Sequence, residues 1–424
     1  MRFSTLEAWL RWQEGPHPCA IDLGLERVAS VWRRLGAPRV GTTVITVAGT
    51  NGKGSTIALL EAILSEAGVS TGSYTSPHLV RYNERIRLDG EPVTDEALVE
   101  AFDVVDRARG ETALTYFEFG TLAALWILSR RGVEAALLEV GLGGRLDAVN
   151  VVDADLAIIT SVDLDHQAWL GDDREAIGRE KAGIFRPGRP AVFSAPDMPA
   201  SVGEAAAALG TPLHRNGVHF HLEMAERAWH WTGGGLRLEG LAPPLGGGVH
   251  QCHNAAGALM ALHLLRDRVA VSEQALRVGL SRAALPGRQQ RIQVDGVDWL
   301  LDVAHNPHAA SALARRLAAH RPTGRRHLLL AMLEDKDPAA VVAELEAVVD
   351  AWHYASLNGP RGLPASALAR IRPGRSHLSL AAAVAHLRAT AAPGDEVVVT
   401  GSFHTVGGVL EILGRTPSMD GGVV

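Results

Sequence analysis

Residues 43–55 read TVITVAGTNGKGS, and residues 56–64 continue TIALLEAIL. β-Branched residues crowd the first positions, Ile57, Leu60, Leu64 and Ala67 recur at helical spacing, and between these runs three glycines interleave with Thr50, Asn51 and Lys53. Strand, tight glycine loop and helix in that order let backbone N–H groups close on phosphate oxygens, while the helix N-terminus adds its positive dipole end. In such loops a lysine supplies a point charge and a hydroxyl reaches a magnesium ion. Gly49, Thr50, Asn51, Gly52, Lys53, Gly54 and Ser55 are therefore candidate ATP-phosphate ligands. Gly54 separates Lys53 from Ser55, a departure from the usual spacing, and a plain glycine-rich turn is the competing reading.

With 424 residues and 47% hydrophobic content, the chain can bury large cores and divide into two globular domains. A net charge of −6 and the lack of any Lys/Arg run argue against a nucleic-acid partner. Cys19 and Cys252 lie far apart without a CxxC spacing and read as free thiols in a reducing cytoplasm. The opening MRFSTLEAWLRW lacks a cleavable apolar leader, and no apolar run approaches the roughly 18 residues of a membrane span. A cytoplasmic chain with no membrane partner is expected.

Further strand ends offer polar groups where open α/β sheets bind ligands. A strand near 70–74 leads to Ser76-Pro77, a ligand position or simply a turn. The buried-type run 135–140 carries Glu139 at its end, and an acid there costs free energy unless it is paired or bound to a metal such as Mg²⁺. The strand 156–160 runs on to His166, a structural histidine or a ligand. Lys181 closes a helix that begins near Asp172 and Asp173, a place where a cation ordinarily complements the dipole. Asp22, Leu23 and Gly24 form a loop entering a helix through Val28, Val31, Trp32 and Leu35. Thr115, Tyr116, Phe117 and Glu118 open another helix, whose aromatics and carboxylate could grip a flat ring, although core packing is the commoner use.

Residues 83–92 read as a hairpin about Asp89-Gly90, before a helix capped at Thr94 or Asp95. Between 217 and 248, short alternating runs (219–222 and 236–238) indicate a small antiparallel sheet; a long helix over 250–265 then carries Asn254. Leu285-Pro286-Gly287-Arg288 breaks the pattern and divides the chain into 1–285 and 286–424. Beyond it, strands and helices alternate as in a second, smaller parallel α/β domain. There the strand 299–303 delivers Asp302 and His305, either ligand-handling groups or a turn before Pro307, and residues 418–424 form a loose end.

GTNGKGS, TSPHL, TYFEFGTLAALW, LEVGLGGRLDAVN, LDH, REKAGIF, PGR, DVAHNPHAA and TGSFHTVG, taken in that order, resemble the bifunctional dihydrofolate synthase/folylpolyglutamate synthase family, the folate branch of the Mur ligase superfamily. The resemblance implies an N-terminal P-loop ATPase domain with a mostly parallel sheet and a small antiparallel one, a smaller Rossmann-like C-terminal domain supplying glutamate-binding groups, and catalysis between them. It places ATP phosphates and one Mg²⁺ on the glycine loop and Ser55, and a second Mg²⁺ on Ser76, Glu139 and His166. Asn254, Arg288 and Asp302 would contact the nucleotide, with His305 beside them. Lys181 falls on the lysine that the superfamily carboxylates with CO₂; a carbamate anion suits a place near two Mg²⁺ ions better than an ammonium does.

By the same resemblance, pteroate lies on Asp22, Leu23 and Gly24, on Thr115, Tyr116, Phe117 and Glu118, and on Leu146, Asp147 and Ala148. The DLG and TYFE segments are similar to those of bacterial enzymes that perform both reactions, so dihydropteroate and reduced folates would both accept L-glutamate. Two departures stand out: Gln289 replaces the aromatic expected after PGR, and the stretch 233–248 departs from the family's pattern. The expected reaction is ATP-dependent amide formation through an acyl phosphate by a monomer, with Lys53, Lys181 and His305 as catalytic candidates. The alternatives are a monofunctional folylpolyglutamate synthase, another Mur-type amino-acid ligase, which TYFE and DLG disfavour, and a nucleotide-driven switch, which leaves DVAHNP without a role.

Overall fold

Thr43–Ala48 is buried at every position, as a strand covered on both faces must be. In the computed structural model, which describes residues 1–15, 22–226, 228–245, 247–359 and 361–415, this strand lies inside an eight-stranded sheet. The order runs Glu91–Pro92, Ile86–Leu88, Thr71–Tyr74, Ala135–Glu139, Thr43–Ala48, Leu156–Ile159, Ala191–Phe193 and Leu213–Arg215. Pairing is parallel except for Ile86–Leu88 and Glu91–Pro92, the hairpin turning at Asp89 (φ 52°) and Gly90 (φ 84°). Val47 pairs with Glu139 on one side and Ile158 on the other. The glycine loop, Glu139 and Thr160 therefore leave the sheet at one carboxyl edge.

The helix Lys53–Glu66 is buried on nearly every side from Ser55 to Leu64, so the four-residue apolar stripe read from the sequence is too narrow a description. Helices Val249–Leu264 and Glu273–Arg282 cover it. A Cβ on Gly279 would lie 2.5 Å from the Ile63 Cα, so glycine is what lets one of these helices approach so closely. Glu61, in the middle of the buried helix, is paired with Arg87 (Nη2–Oε2 2.9 Å) and accepts from Ser73 Oγ at 2.8 Å. A buried carboxylate requires such partners.

Helices Leu6–Gln13, Asp95–Arg109 and Tyr116–Arg131 close an aromatic core of Trp9, Phe102 and Phe119. Thr94 caps the second of these by accepting from the Ala97 N–H. The small antiparallel sheet has three strands, Phe220–Met224, Trp229–Gly233 and Leu236–Leu241. Its central strand escaped the sequence reading although Trp229 and Trp231 alternate inward.

A second six-stranded sheet runs Gln290–Val294, Val297–Leu301, Glu396–Thr400, Arg326–Leu330, Ala351–Ala355 and Arg375–His377. The sheet is parallel except at one edge, where Gln290–Val294 pairs antiparallel with Val297–Leu301 across a turn at Asp295 (φ 52°) and Gly296 (φ 79°). Asn306, Asp337, Ser379 and Ser402 cap the helices that follow the strands. The chain divides after Ala283 into two compact units, and the short segment His78–Arg81 belongs to the second, where Leu79 and Val80 pack against its core. Cys19 and residues 418–424 lie outside the described residues. Cys252 is a buried free thiol whose pKa burial raises to about 11.

Candidate active site

The glycine loop is held in shape from the neighbouring strand end. Thr50 N–H donates to Ser161 O (2.8 Å), Thr160 Oγ1 to Asn51 O (2.6 Å), and Thr50 Oγ1 to Asp163 O (3.1 Å). Gly52 sits at φ 87°, and a Cβ there would lie 2.4 Å from Asn254 Oδ1. Asn254 thus abuts the loop, and its Nδ2 donates to Gln251 Oε1 (3.0 Å), whose Nε2 reaches Ser55 Oγ (3.4 Å). Gln251, three residues before Asn254 on the same helix face, was missed; its helical spacing from Asn254 was the available signal. Lys53 Nζ donates to Gly49 O (2.9 Å) and Thr50 O (3.3 Å), folding the ammonium over its own loop.

Glu139 is buried, and its Oε2 accepts from the Ser76 N–H at 3.1 Å, so two of the three expected metal ligands meet directly. Carboxylate and hydroxyl oxygens such as those of Glu139 and Ser76 are the hard donors that Mg²⁺ or Mn²⁺ takes. His166 is exposed at φ 53°, and its backbone N–H donates to Asp165 Oδ1 (2.9 Å). No cluster of three or more His, Cys, Asp or Glu able to hold a metal occurs among the described residues.

Lys181, expected as a solvated helix-end cation or a carbamate, is buried. Burial, then the Lys53 ammonium, depress its pKa to about 7, against Asp165 and Asp147 pulling upward. Near neutrality such an amine is half unprotonated, the form that reacts with CO₂. Asp147 is also buried and accepts from Leu142 N (2.8 Å) and Val149 N (3.0 Å). Burial raises its pKa to about 6.

Of the expected pteroate residues, Thr115 and Glu118 form a reciprocal capping box at the start of Tyr116–Arg131. Phe117 packs against Gly141, whose added Cβ would lie 2.5 Å from its ring. The Tyr116 ring stands edge-on to Tyr82 at 5.8 Å. Arg27, which the sequence reading passed over, bonds both Asp22 (Nη1–Oδ2 2.7 Å) and Glu118 (Nη2–Oε1 3.0 Å). Leu23, Gly24 and Leu146 are half-buried, and Ala148 is buried.

In the second unit, Asp302 is buried at the end of its strand and accepts from Ala304 N (2.9 Å) and Gln289 N (3.1 Å). Burial raises its pKa, opposed by the Arg288 guanidinium. Asp302 thus fixes two turns. Gln289 is buried at φ 50°. Arg288 lies over the Phe403 ring at 5.4 Å, and the His305 ring stands 6.0 Å from it. His305 Nδ1 bonds Val303 O (2.8 Å).

Residues 47–202 match the Mur ligase middle domain, and residues 287–403 the Mur ligase glutamate ligase domain. The dihydrofolate synthase/folylpolyglutamate synthase of Escherichia coli K12 is 47% identical over 411 residues, spanning 97% of this chain and 96% of its own. The structure of E. coli FolC in complex with DHPP and ADP superposes with a TM-score of 0.93 at 46% identity, covering 97% of this chain and 98% of that one. A bifunctional folylpolyglutamate synthase/dihydrofolate synthase with Mn, AMPPNP and L-glutamate bound gives 0.91 at 45% identity, with coverage of 97% and 98%. With a relative this similar along almost its whole length, this chain belongs to the dihydrofolate synthase/folylpolyglutamate synthase family of Mur ligases.

Proposed function

We propose that this chain is an ATP-dependent ligase that joins L-glutamate to dihydropteroate, giving dihydrofolate, and to reduced folates, giving folylpolyglutamates. The observation that carries the reading is the single carboxyl edge of the first sheet, which brings together the glycine loop, Glu139 and the Ser76 N–H. A substrate carboxylate oxygen attacks the γ-phosphorus of ATP, the bond to ADP breaks, and an acyl phosphate forms. The α-amino nitrogen of glutamate then attacks the carbonyl carbon, loses its proton, and the intermediate expels phosphate. Positioning and charge neutralisation dominate such chemistry.

Lys53 and the N–H groups of residues 49–55 would cradle the phosphates, and Asn254 would hold the loop against its helix. Ser55 would carry one Mg²⁺, and Ser76, Glu139 and His166 a second; bound there, the ions would offset the charge of a carboxylate approaching phosphate. Arg288 and Asp302 would meet the nucleotide, and His305, beside them, would orient phosphate. Lys181 as a free amine adds CO₂ with loss of a proton, and the resulting carbamate replaces a buried cation by an anion. Residues 22–24, 115–118 and 146–148 would bind pteroate. Among the described residues no helix is long and apolar enough to cross a membrane, and we read the enzyme as a cytoplasmic monomer.

The test is phosphate release from MgATP with dihydropteroate and L-glutamate added separately and together, repeated with tetrahydrofolate. Release that requires glutamate with either pterin is expected. Activity with tetrahydrofolate alone would reduce the chain to a monofunctional folylpolyglutamate synthase, and glutamate-independent hydrolysis would sink the ligase reading.

A further inference from the structure

Arg27 stands in the first turn of the helix Glu26–Arg34, where a cation faces the positive end of the dipole, and Leu25 at the N-cap offers no side-chain cap. An unfavourable placement of this kind needs compensation, and two carboxylates from distant parts of the chain supply it. Nε and Nη2 donate to Glu118 Oε1 at 3.2 and 3.0 Å, while Nη1 reaches Asp22 Oδ2 at 2.7 Å and Nη2 the Asp22 carbonyl at 2.8 Å. The planar guanidinium is the side chain whose fork can hold both at once.

The consequences differ for the two acids. Glu118 is almost wholly buried, its other oxygen accepts from the Thr115 N–H at 2.8 Å, and so both oxygens are committed to Arg27 and to the helix start. Asp22 remains 40% exposed, on a loop outside any helix or strand. A pterin presents adjacent N–H donors, its 2-amino group and N3–H, an edge that a carboxylate accepts from. Of the two carboxylates, only Asp22 has solvent access to meet such an edge.

We propose that Arg27 is a positioning residue for dihydropteroate. Anchored on buried Glu118, it fixes the direction in which the Asp22 carboxylate accepts the N–H edge of the pterin. The inference rests on the reading of residues 22–24 and 115–118 as the pteroate site, and it assigns Glu118 to holding that site rather than to touching substrate.

The experiment compares R27Q, R27K, D22N and the double variant R27Q/D22N with wild type, using saturating glutamate and following phosphate release. For R27Q the KM for dihydropteroate should rise about tenfold, the loss of one charge-assisted hydrogen bond, with kcat and the KM for ATP nearly unchanged. R27K, which keeps the charge but not the fork, should fall between R27Q and wild type. Because Arg27 acts through Asp22, the double variant should be no worse than the weaker-binding single. Multiplying effects of R27Q and D22N, an unmoved KM for dihydropteroate, or KM values for ATP and pterin rising together would overturn the role. R27K and D22N keep the test decisive if R27Q does not fold. Wild type in the same assay separates the two layers: without dihydropteroate-dependent turnover the reading of the site falls and Arg27 with it, whereas wild-type turnover with an unmoved variant removes Arg27 alone.

Discussion

His353→Gln should flatten the acid side of the stability profile of the second unit. Across its sheet, His327, His353 and His377 are buried and joined by two contacts, His327 Nδ1 to His353 Nε2 and His353 Nδ1 to His377 Nε2, each 3.3 Å. Ring centroids in both pairs are 5.5 Å apart, so the separation exceeds the nitrogen gap by about one ring diameter and the nitrogens face each other in line. Lone pairs so aimed belong to a hydrogen-bonded chain and do not converge on a metal. His327 Nε2 reaches Asp395 Oδ2 at 3.4 Å, and because a carboxylate accepts, the whole row is satisfied when each ring is neutral and donates through Nε2 towards Asp395. His386 caps the far end, 5.3 Å from the His377 ring.

Burial, followed by repulsion from His327, His377, His386 and Arg375, holds His353 down to about 3, and burial first, then neighbouring charge, lowers His377 and His386. Folded-state values below the ordinary one near 6.5 mean that the unfolded chain binds more protons as pH falls. The contribution is therefore complete above about pH 6.5 and is lost progressively below it. For His353 the loss is at most about 1.4 kcal/mol per pH unit, less where water reaches the ring, or about 4 °C in melting temperature for a unit of this size. Calorimetric melts at pH 8, 6.5 and 5.5 would read it. Other groups contribute: His214, His253, His263 and His404 are also lowered, while Asp147 is raised and works in the opposite direction. Only the difference between variant and wild type isolates the chain, since glutamine donates and accepts but does not titrate. Identical slopes for H353Q and wild type between pH 6.5 and 5.5 would refute the argument.

Activity should rise as pH passes about 7 and fall in CO₂-depleted buffer, because carbamate formation consumes the neutral Lys181 amine; ¹³CO₂ labelling followed by NMR should show a carbamate signal that K181R lacks. A carbamate signal unchanged in K181R would end that assignment. Gly52→Ala places a methyl group 2.4 Å from Asn254 Oδ1 at a backbone angle of φ 87°, and ATP affinity measured by calorimetry should fall at least about tenfold. Glu139→Gln keeps an acceptor for the Ser76 N–H but removes the charge. The Mg²⁺ concentration for half-maximal turnover should then increase about tenfold or more, and an unaltered Mg²⁺ requirement would remove Glu139 from the metal site.

The glycine loop and the Glu139 strand end stand out in the sequence because their signals are local. A β-branched run, glycines at fixed offsets and an apolar helix lie within 25 neighbouring positions of the strand Thr43–Ala48, and Glu139 announces itself as an acid at the tip of an apolar strand. The turn at Asp295-Gly296 was equally local, and overlooking it cost the antiparallel edge strand Gln290–Val294. Other features have no local sign. Arg27 and Glu118 are 91 positions apart, and the segment His78–Arg81 joins the second unit from within the first unit's sequence.

The histidine row shows why distance along the chain matters physically. His327, His353 and His377 lie on three successive parallel strands, and His386 on the helix Leu380–Thr390. Each alone reads as an ordinary partly buried histidine, with no acceptor or donor implied by its neighbours in sequence. Parallel pairing in the observed register sets Leu329 against His353 and Ala355 against His377, and only that register brings the rings into line. A one-residue slip would turn alternate side chains to the opposite face and leave buried nitrogens without partners, so the row is both a product of the register and a cost against any other. The same reasoning explains Lys181: its depressed pKa comes from burial first and from Lys53 second, and neither can be read from the residues flanking it on its own helix.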